Sequence, residues 1–572
     1  MSRNLQRRKA PSLARFFQEQ LAAGDAVSFC LPGGTPLFTP GEMAEQLYFL
    51  KTGRLGVSFP RASSYGVTVM AGETIGEMAV LAGLDHASEA VALRDCELIA
   101  APRKLVFDCV RADPDLLQEL SRLTLVRARE TQADEPPISR RVLGVIALTP
   151  AVDACAFADR LNTALIALGH TAAALASDSG PTTPEWFARL ETSHEFVLYS
   201  VEHGETAWGA SIARQVDGLI AVAVGDDPGA ALPAPIAARA LPTDLVLLQA
   251  AGAPAPRGSQ AWAEAVPNER LFQVRRGVKA DVERLARGLT GRGVGLVLSG
   301  GAARAYAHVG AVKVLHERGI PLDTLGGVSM GAIIAAGLGM GWDDQELDER
   351  LRHAFVDSSP LGDITWPLVA ITKGELVRDR LAEHFGDRTI ADLWLPFFCV
   401  SANLTIGEQQ IHRQGLVREA LCASLSLPGV LPPATLGEDV LVDGAVLNNF
   451  PADVMRLVHK GPIIGVDVGA GRSLGAADIP HPGSVMHWLT SGAWREGAPI
   501  VSILIRAATL SAYHQTDAAH QAVDVLIEPK LDDIEVGDWK AYDPAVARGA
   551  ESAREALANL PCRLEDLRHA AE

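Results

Sequence analysis

Between residues 20 and 130, apolar and polar positions alternate over short stretches, QLYFL, RLGVSF and VTVM, with Gly41, Gly53, Gly72 and Gly76 at the breaks. A period of two puts successive side chains on opposite faces of a strand, so short strands with glycine turns predict a small antiparallel β-barrel. In RKLVFDCVRADPDLLQELSRLTLVRARE the apolar positions recur at helical spacing, and the barrel is expected to close with helices. The polar, proline-containing TQADEPPISRR then reads as a linker. From 140 to 275 apolar runs (RVLGVIALTP, EFVLYSV, DGLIAVAVG, TDLVLLQA) alternate with amphipathic stretches such as DACAFADRLNTALIALG, the pattern of a parallel sheet covered by helices. The turn TPAVDA after the first of these strands has neither a Gly-rich fingerprint nor a P-loop lysine, which gives this unit a structural or interface role. From 290 to 560 a second strand-helix series follows: GVGLVLSGG, YAHVGAVKVLHERG, LDTLGGVS, GAIIAAGLGMG, LPFFCVSANL, DVLVDGA and GPIIGVDVGA. The expectation is a multidomain chain: a barrel with helices over 15–130, an α/β parallel-sheet domain over 140–275 and an α/β domain over 290–560.

Composition agrees with several globular units. The chain has 572 residues, too many for one core, with 48% hydrophobic and 21% charged positions. A net charge of -18 argues against a general nucleic-acid binder. Cys30, Cys96, Cys109, Cys155, Cys399, Cys422 and Cys562 form no C-x-x-C pair and no metal-ligand spacing, as in a reducing compartment. With no apolar leader and no run long enough to cross a bilayer, a cytoplasmic protein without a signal peptide or transmembrane segment is expected. The N-terminal stretch reads first as a solvated helix leading into the barrel, but it sets Arg3, Arg7, Arg8, Lys9 and Arg15 beside Leu13, Phe16 and Phe17, so a peripheral contact with an anionic membrane is its second reading. The sequence is silent on oligomeric state.

Candidate chemistry gathers in the last region. GGVSMGA contains G-x-S-x-G, with Ser329 between Gly327 and Gly331, the pattern of a strained strand-to-helix turn that lifts a serine hydroxyl out of the backbone. One strand earlier, SGGAARAYAHVGAV opens a helix with small residues, so the backbone N–H groups of Gly300, Gly301 and Ala302 suit a developing oxyanion. A serine needs a base. Asp443, ahead of Gly444 at the end of an apolar strand, is one candidate. His353, His384, His412, His459, His481, His487, His514 and His520 also follow the serine, and the last four leave a Ser-His-Asp order formally open.

LSGGAARAYAHVGAVKVL, GGVSMGA and DGAVLNNFP, in that order and spacing, resemble the patatin-like phospholipases, lipid acyl hydrolases with a Ser-Asp dyad. The resemblance implies Ser329 as nucleophile, Asp443 as base, the turn at Gly300, Gly301 and Ala302 as oxyanion hole, Arg304 at the family's basic position, a phospholipid or lysophospholipid substrate, and no metal or cofactor. Ala302 and Ala305 stand where that family usually has glycine, and a requirement for φ > 0 at either would strain the loop; a catalytically impaired sensor or scaffold is the alternative on that ground. LFTPGEMAEQLYFLKTGRLGVSF and IGEMAVLAG resemble a cyclic-nucleotide-binding barrel, implying a pocket at Gly76, Glu77 and His86. His86 stands where the phosphate-holding arginine is expected, and a neutral imidazole lacks arginine's bidentate fork, so the barrel reads as a regulatory or docking module. The three regions together resemble the neuropathy target esterase branch of the patatin-like proteins. The G-x-G-x-x-G match at 469–475 is set aside, because Pro480 and Pro482 stand where a helix should open.

Overall fold

The alternation over the first region folds into eight antiparallel strands: β1 (Val27–Leu31), β2 (Pro36–Phe38), β3 (Gln46–Thr52), β4 (Arg54–Ser58), β5 (Val67–Met70), β6 (Thr74–Ile75), β7 (Glu89–Ala92) and β8 (Cys96–Pro102). They form two four-stranded sheets, ordered β1-β8-β3-β6 and β2-β7-β4-β5, with Leu50, Leu55 and Leu98 fully buried between them. The computed structural model describes residues 12–58, 67–130, 141–180, 183–227, 229–358, 361–366, 368–469, 516–560, 564 and 567. The expected linker at 131–140 lies outside them. By their contacts the residues divide into two units, 1–224 with 230–246 and 266–270, and 225–229 with 247–265 and 271–572.

Helices Ser12–Ala23, Arg103–Ala112 and Pro114–Glu130 close the barrel. The helical stretch divides at Asp113 (φ -128°), because the residue before a proline is pushed out of the α region. The membrane reading of the first helix is corrected here. Leu13, Phe16 and Phe17 are buried against Leu47 and Phe49 of β3, the rings of Phe17 and Phe49 stacking at 5.3 Å. These aromatics hold the helix to the barrel and are not available to a bilayer.

The middle region is a six-stranded sheet of β9 (Val142–Ala147), β10 (Ala172–Leu175), β11 (Phe196–Val201), β12 (Gly218–Val224), β13 (Thr243–Gln249) and β14 (Arg270–Arg275), in the order β10-β11-β9-β12-β13-β14. β9 pairs in parallel with β11 and β12 on either side, and β9 and β11 are buried at every position, as a sheet covered on both faces requires. Within the first unit, four charged groups join barrel to sheet. Arg94, only 2% exposed, pairs with Glu191 and lies 2.6 Å from Asp217, which Arg54 also reaches at 2.9 Å. Asp217 Oδ2 accepts the backbone N–H of Val142 at the start of β9. Burial opposes ionisation of Asp217, yet Arg94 and Arg54 hold its carboxyl below the usual range.

The last region is an eight-stranded sheet: β15 (Gly295–Leu298), β16 (Thr324–Gly327), β17 (Phe397–Asn403), β18 (Glu408–His412), β19 (Ala434–Leu436), β20 (Asp439–Asp443), β21 (Ile463–Val466) and β22 (Val525–Ile527). The order is β19-β20-β17-β16-β15-β21-β22, with β18 also on β17. β17, β16, β15, β21 and β22 are parallel, whereas β18, β19 and β20 join by antiparallel pairing. Helices Tyr306–Glu317 and Met330–Met340 are buried almost throughout, the second built between its terminal methionines of Gly, Ala, Ile and Leu so that it packs close to the sheet.

Removing Arg94 takes the cation from Glu191 and leaves Asp217 to Arg54 alone, and breaking a buried pair in this way costs about 3–5 kcal/mol. Arg94→Ala is therefore expected to lower the unfolding free energy of the barrel-containing unit, read from urea titration, by that amount; a loss under about 1 kcal/mol would show that the cluster contributes little.

Candidate active site

Strand register brings the serine and the acid to one level. Gly327, the last residue of β16, pairs with Cys399, and Ser401, two residues on in β17, pairs with Asp443. Ser329 lies two residues beyond Gly327 and so meets Asp443, which arrives from the opposite direction along antiparallel β20. Sequence reasoning placed Asp443 at this edge but not the direction of its strand. Ser329 Oγ donates to Asp443 Oδ2 at 2.7 Å, and Oδ1 accepts the N–H of Ala445 at 2.9 Å. Both residues are buried, Ser329 to 9% exposure and Asp443 to 1%. Burial pushes the Asp443 carboxyl up to about 6, against the two hydrogen bonds that favour its charged form.

Ser329 has φ 54° and ψ -129°, a strained conformation for a residue with a side chain. Its backbone N–H donates to Ser424 Oγ at 3.0 Å, and Ser424 Oγ donates to Val400 O at 2.7 Å, so the turn is held from β17. Gly331 has no room for a side chain, since a Cβ there would run into the carbonyls of Leu298 and Ser299 on the neighbouring strand. Gly327 and Gly444 lie under the same constraint, each with backbone where a Cβ would go.

The turn after β15 faces the serine. A Cβ on Gly300 would stand 3.3 Å from Ser329 Cβ and 2.6 Å from Asn449 Oδ1. The Gly300 N–H, expected to point at an oxyanion, instead donates to Asn449 O at 3.1 Å, and Asn449 Nδ2 returns a bond to Gly300 O at 3.2 Å. Ala303 N–H donates to Val536 O. Among the described residues, Gly301 and Ala302 keep N–H groups without a protein acceptor, at the start of the short turn Ala302–Ala305. Ala302 takes φ 48°, the left-handed region in which alanine is strained by about 1–2 kcal/mol, whereas Ala305 is ordinary right-handed backbone at φ -62°. The two departures from glycine therefore differ, and only Ala302 carries strain. Arg304 is buried and donates to Ile534 O at 2.7 Å, tying the turn to the C-terminal segment.

Two supports beneath this turn were not legible in sequence. His308, fully buried with its pKa pushed down by burial to about 4, sits 2.9 Å from Ser299 O. Asp467 accepts from His520 Nε2 at 2.9 Å and from Gly469 N at 2.8 Å. Their nearest signal was position: Asp467 directly follows β21, the strand beside β15.

None of the candidate histidines among the described residues is bonded to Ser329. His459 sits between Thr324 Oγ1 and Gly293 O, His412 against Ser401 Oγ at 2.7 Å, and His520 against Asp467. His481, His487 and His514 lie outside the described residues. His353, Glu383 and His384 bring potential ligand atoms within 4.8 Å of one another, but Arg350 already reaches His384 Nδ1 at 3.2 Å and Arg380 reaches Glu383 at 2.6 Å.

The barrel holds its own cavity, of about 280 Å³, lined by Gly76, Glu77 and His86 together with Phe38, Val69 and Ile75. Gly76 has φ 93°, which a side chain would strain, and Glu77 is buried to 2% exposure. The His86 ring stacks on Phe38 at 3.6 Å and 8°, and burial lowers its pKa, so it is neutral at pH 7. Among the described residues, no arginine or lysine lines the cavity.

Comparison with known proteins agrees with this organisation. The patatin-like phospholipase family model matches residues 296–456, and the cyclic nucleotide-binding domain model matches 29–113. An uncharacterized NTE family protein of Mycobacterium tuberculosis is 32% identical over 97% of this chain and 96% of its own length. Patatin-like phospholipase domain-containing protein 6 of Mus musculus is 29% identical over 76% of this chain and 38% of its own length, so the chain spans well under half of that relative. Among solved structures, the Thermus thermophilus catabolite activator protein is 24% identical over 28% of this chain and 67% of its own, with a TM-score of 0.20.

Two outcomes follow from this geometry. Ala302→Gly is expected to keep the fold within about 1 kcal/mol, strain relief offsetting glycine's greater chain entropy, whereas Ala302→Val, β-branched at φ 48°, is expected to destabilise the turn by more; equal thermal midpoints for the two variants would contradict the strain. Calorimetric titration with cAMP and cGMP is expected to give no binding heat, and a saturating isotherm with either would overturn the reading of a cavity without a phosphate partner.

Proposed function

The chain belongs to the NTE family, and on that premise we propose that it is a serine-dependent lipid acyl hydrolase acting on phospholipid or lysophospholipid esters through a Ser329–Asp443 dyad. The observation that carries this reading is the 2.7 Å hydrogen bond between Ser329 Oγ and a buried carboxylate. Asp443 Oδ2 takes the hydroxyl proton as Oγ attacks the acyl carbonyl carbon. The carbonyl oxygen becomes an oxyanion facing the N–H groups of Gly301 and Ala302, whose positions are set before substrate arrives. Collapse of the tetrahedral intermediate breaks the ester C–O bond, and the departing alcohol takes the proton back from Asp443. Water then attacks the acyl-enzyme, gives its proton to Asp443, and releases the fatty acid as Ser329 Oγ regains a proton.

In this scheme burial does two things. It keeps water from competing for the Ser329 hydroxyl, and it raises the basicity of Asp443, since a carboxylate at the usual value would be too weak a base for a serine. Gly327, Gly331 and Gly444 give the backbone room for this approach, while Asn449 and Arg304 hold the oxyanion turn. The supports at His308 and Asp467 position groups and touch no substrate. We assign the barrel a regulatory or docking role and the middle sheet a structural one, in keeping with the charged cluster that joins the two within one unit.

Ser329→Ala is expected to reduce ester hydrolysis by purified protein to background, and Asp443→Asn to reduce kcat by about 10²–10⁴-fold, the range of a lost general base, while the chain stays folded. His412→Ala, His459→Ala and His520→Ala should each leave measurable turnover. Full activity in Ser329→Ala, or abolition by His459→Ala alone with an unchanged thermal midpoint, would contradict the dyad.

A further inference from the structure

Among the described residues, most large apolar side chains exposed on the second unit sit on the elements that frame Ser329 and Asp443; Leu457, at the end of helix Ala452–Val458, stands apart from them. The segment leading into helix Glu375–Phe385 makes a hairpin, with Ile364 bridging Thr372, Thr365 N bonded to Ile371 O at 2.9 Å and Lys373 N bonded to Asp363 O at 3.0 Å. From Ile364 to Ile371 the sequence ITWPLVAI carries no charge. At its tip Trp366 is 86% exposed and Leu368 94%, with Ile364 and Val369 also exposed. Its base is fixed: Thr372 is buried, its Oγ1 donating to Val430 O at 2.7 Å, and Ile371 N donates to Gly429 O at 3.0 Å. Gly429 stands three residues, at most about 11 Å, from Ser426, whose carbonyl accepts the N–H of Asp443 at 2.9 Å. The hairpin is thus clamped to the segment that holds the acid.

Other exposed apolar side chains stand at the same edge. Leu404 and Ile406 cap the turn at the C-terminal end of β17, the strand that pairs with both β16 and β20, and Leu436 caps the β19–β20 turn beside it. Val536 is exposed where its carbonyl holds the oxyanion turn through Ala303 N. Charged neighbours are of both signs, Asp363, Lys373, Glu375 and Arg378 at the hairpin base and Glu438 and Asp439 at the β19–β20 turn. An apolar rim with mixed charge around a site for acyl esters suits one occupant, the surface of the lipid aggregate that contains those esters.

We infer that the Ile364–Ile371 hairpin, with Trp366 and Leu368 at its tip, inserts into the lipid surface and sets the dyad over it, by apolar contact and not by charge. The inference rests on the lipid hydrolase reading, but its test does not depend on turnover. Full-length Ser329→Ala protein is sedimented with phosphatidylcholine vesicles at low and high salt, with and without Trp366→Ser/Leu368→Ser. Binding is expected to be insensitive to salt and to fall about tenfold or more in the double variant, as loss of two buried apolar side chains requires. With Ser329 intact, the same double variant is expected to hydrolyse a water-soluble short-chain ester within about twofold of the parent while losing vesicle hydrolysis in proportion to binding. Unchanged vesicle binding in the double variant overturns the inference, as does binding abolished by salt. Loss of soluble-ester turnover overturns it too, since the hairpin would then be part of the catalytic pocket. A dimer by light scattering that dissociates in the double variant with vesicle binding unaltered would make this face a contact between two copies of the chain. Vesicle binding that depends on Trp366 in a protein without lipid hydrolysis would support the docking surface and end the hydrolase reading.

Discussion

One hydrogen bond, from Ser329 Oγ to a carboxylate buried to 1% exposure, sets the terms for the sheet that surrounds it. A hydroxyl and an aspartate meet at 2.7 Å only if two strands from distant parts of the chain end at one level, and the register of β16, β17 and β20 provides that level. β17 is the common ruler: it pairs in parallel with the strand that delivers the serine and antiparallel with the strand that delivers the acid. An antiparallel β20 reaches the C-terminal edge from outside the sheet, so Asp443 turns at once into Gly444 without a long crossover. The same arrangement buries the acid to 1% exposure, and a buried carboxyl with no cation beside it among the described residues is driven towards its neutral form. Geometry and basicity therefore have one origin.

The oxyanion turn shows what such a site costs locally. Two non-glycine residues beside the proposed chemistry, Ser329 and Ala302, have left-handed φ, and each is over-determined by its surroundings. Ser329 is pinned through its N–H to Ser424 and through Oγ to Asp443. Ala302 is flanked by Gly300, clamped in both directions by Asn449, and by Ala303, anchored on Val536. His308 and the Asp467–His520 pair fasten the strand ends beneath. Glycine would remove the strain at 302 but would also loosen the turn, so alanine is compatible with a preformed pair of donors.

Legibility in the sequence followed the strength of local patterns. Buried strands such as β9, β11 and β12 announced themselves as continuous apolar runs, and the strand-turn-helix glycines around Ser329 are dictated by close backbone approach, which leaves a mark in composition. What stayed hidden depends on pairing between distant segments. The direction of β20, the return bond from Asn449 to Gly300 and the Asp467–His520 support are all products of topology. β10, whose Ala172–Leu175 is a half-buried edge strand of AAAL, carries too little β-propensity to be seen. The N-terminal helix stayed ambiguous for another reason: apolar and basic residues on a helix serve equally for a membrane or for a barrel, and only the burial of Phe16 and Phe17 against β3 separates the two. In the barrel, the substitution of histidine for arginine was visible, but its stacking on Phe38, which shields the ring and keeps it neutral, was not.

The account stands on Asp443 acting directly as the base. The most direct measurement is the rate at which a fluorophosphonate labels the protein, followed by intact mass and peptide mapping across pH 4.5 to 8. Because the carboxyl is raised to about 6 by burial and must be deprotonated to accept the serine proton, labelling of Ser329 should rise tenfold per pH unit below that value and level off above it, and the rise should vanish in Asp443→Asn. Label on another residue, or a rise that persists unchanged in Asp443→Asn, would contradict it.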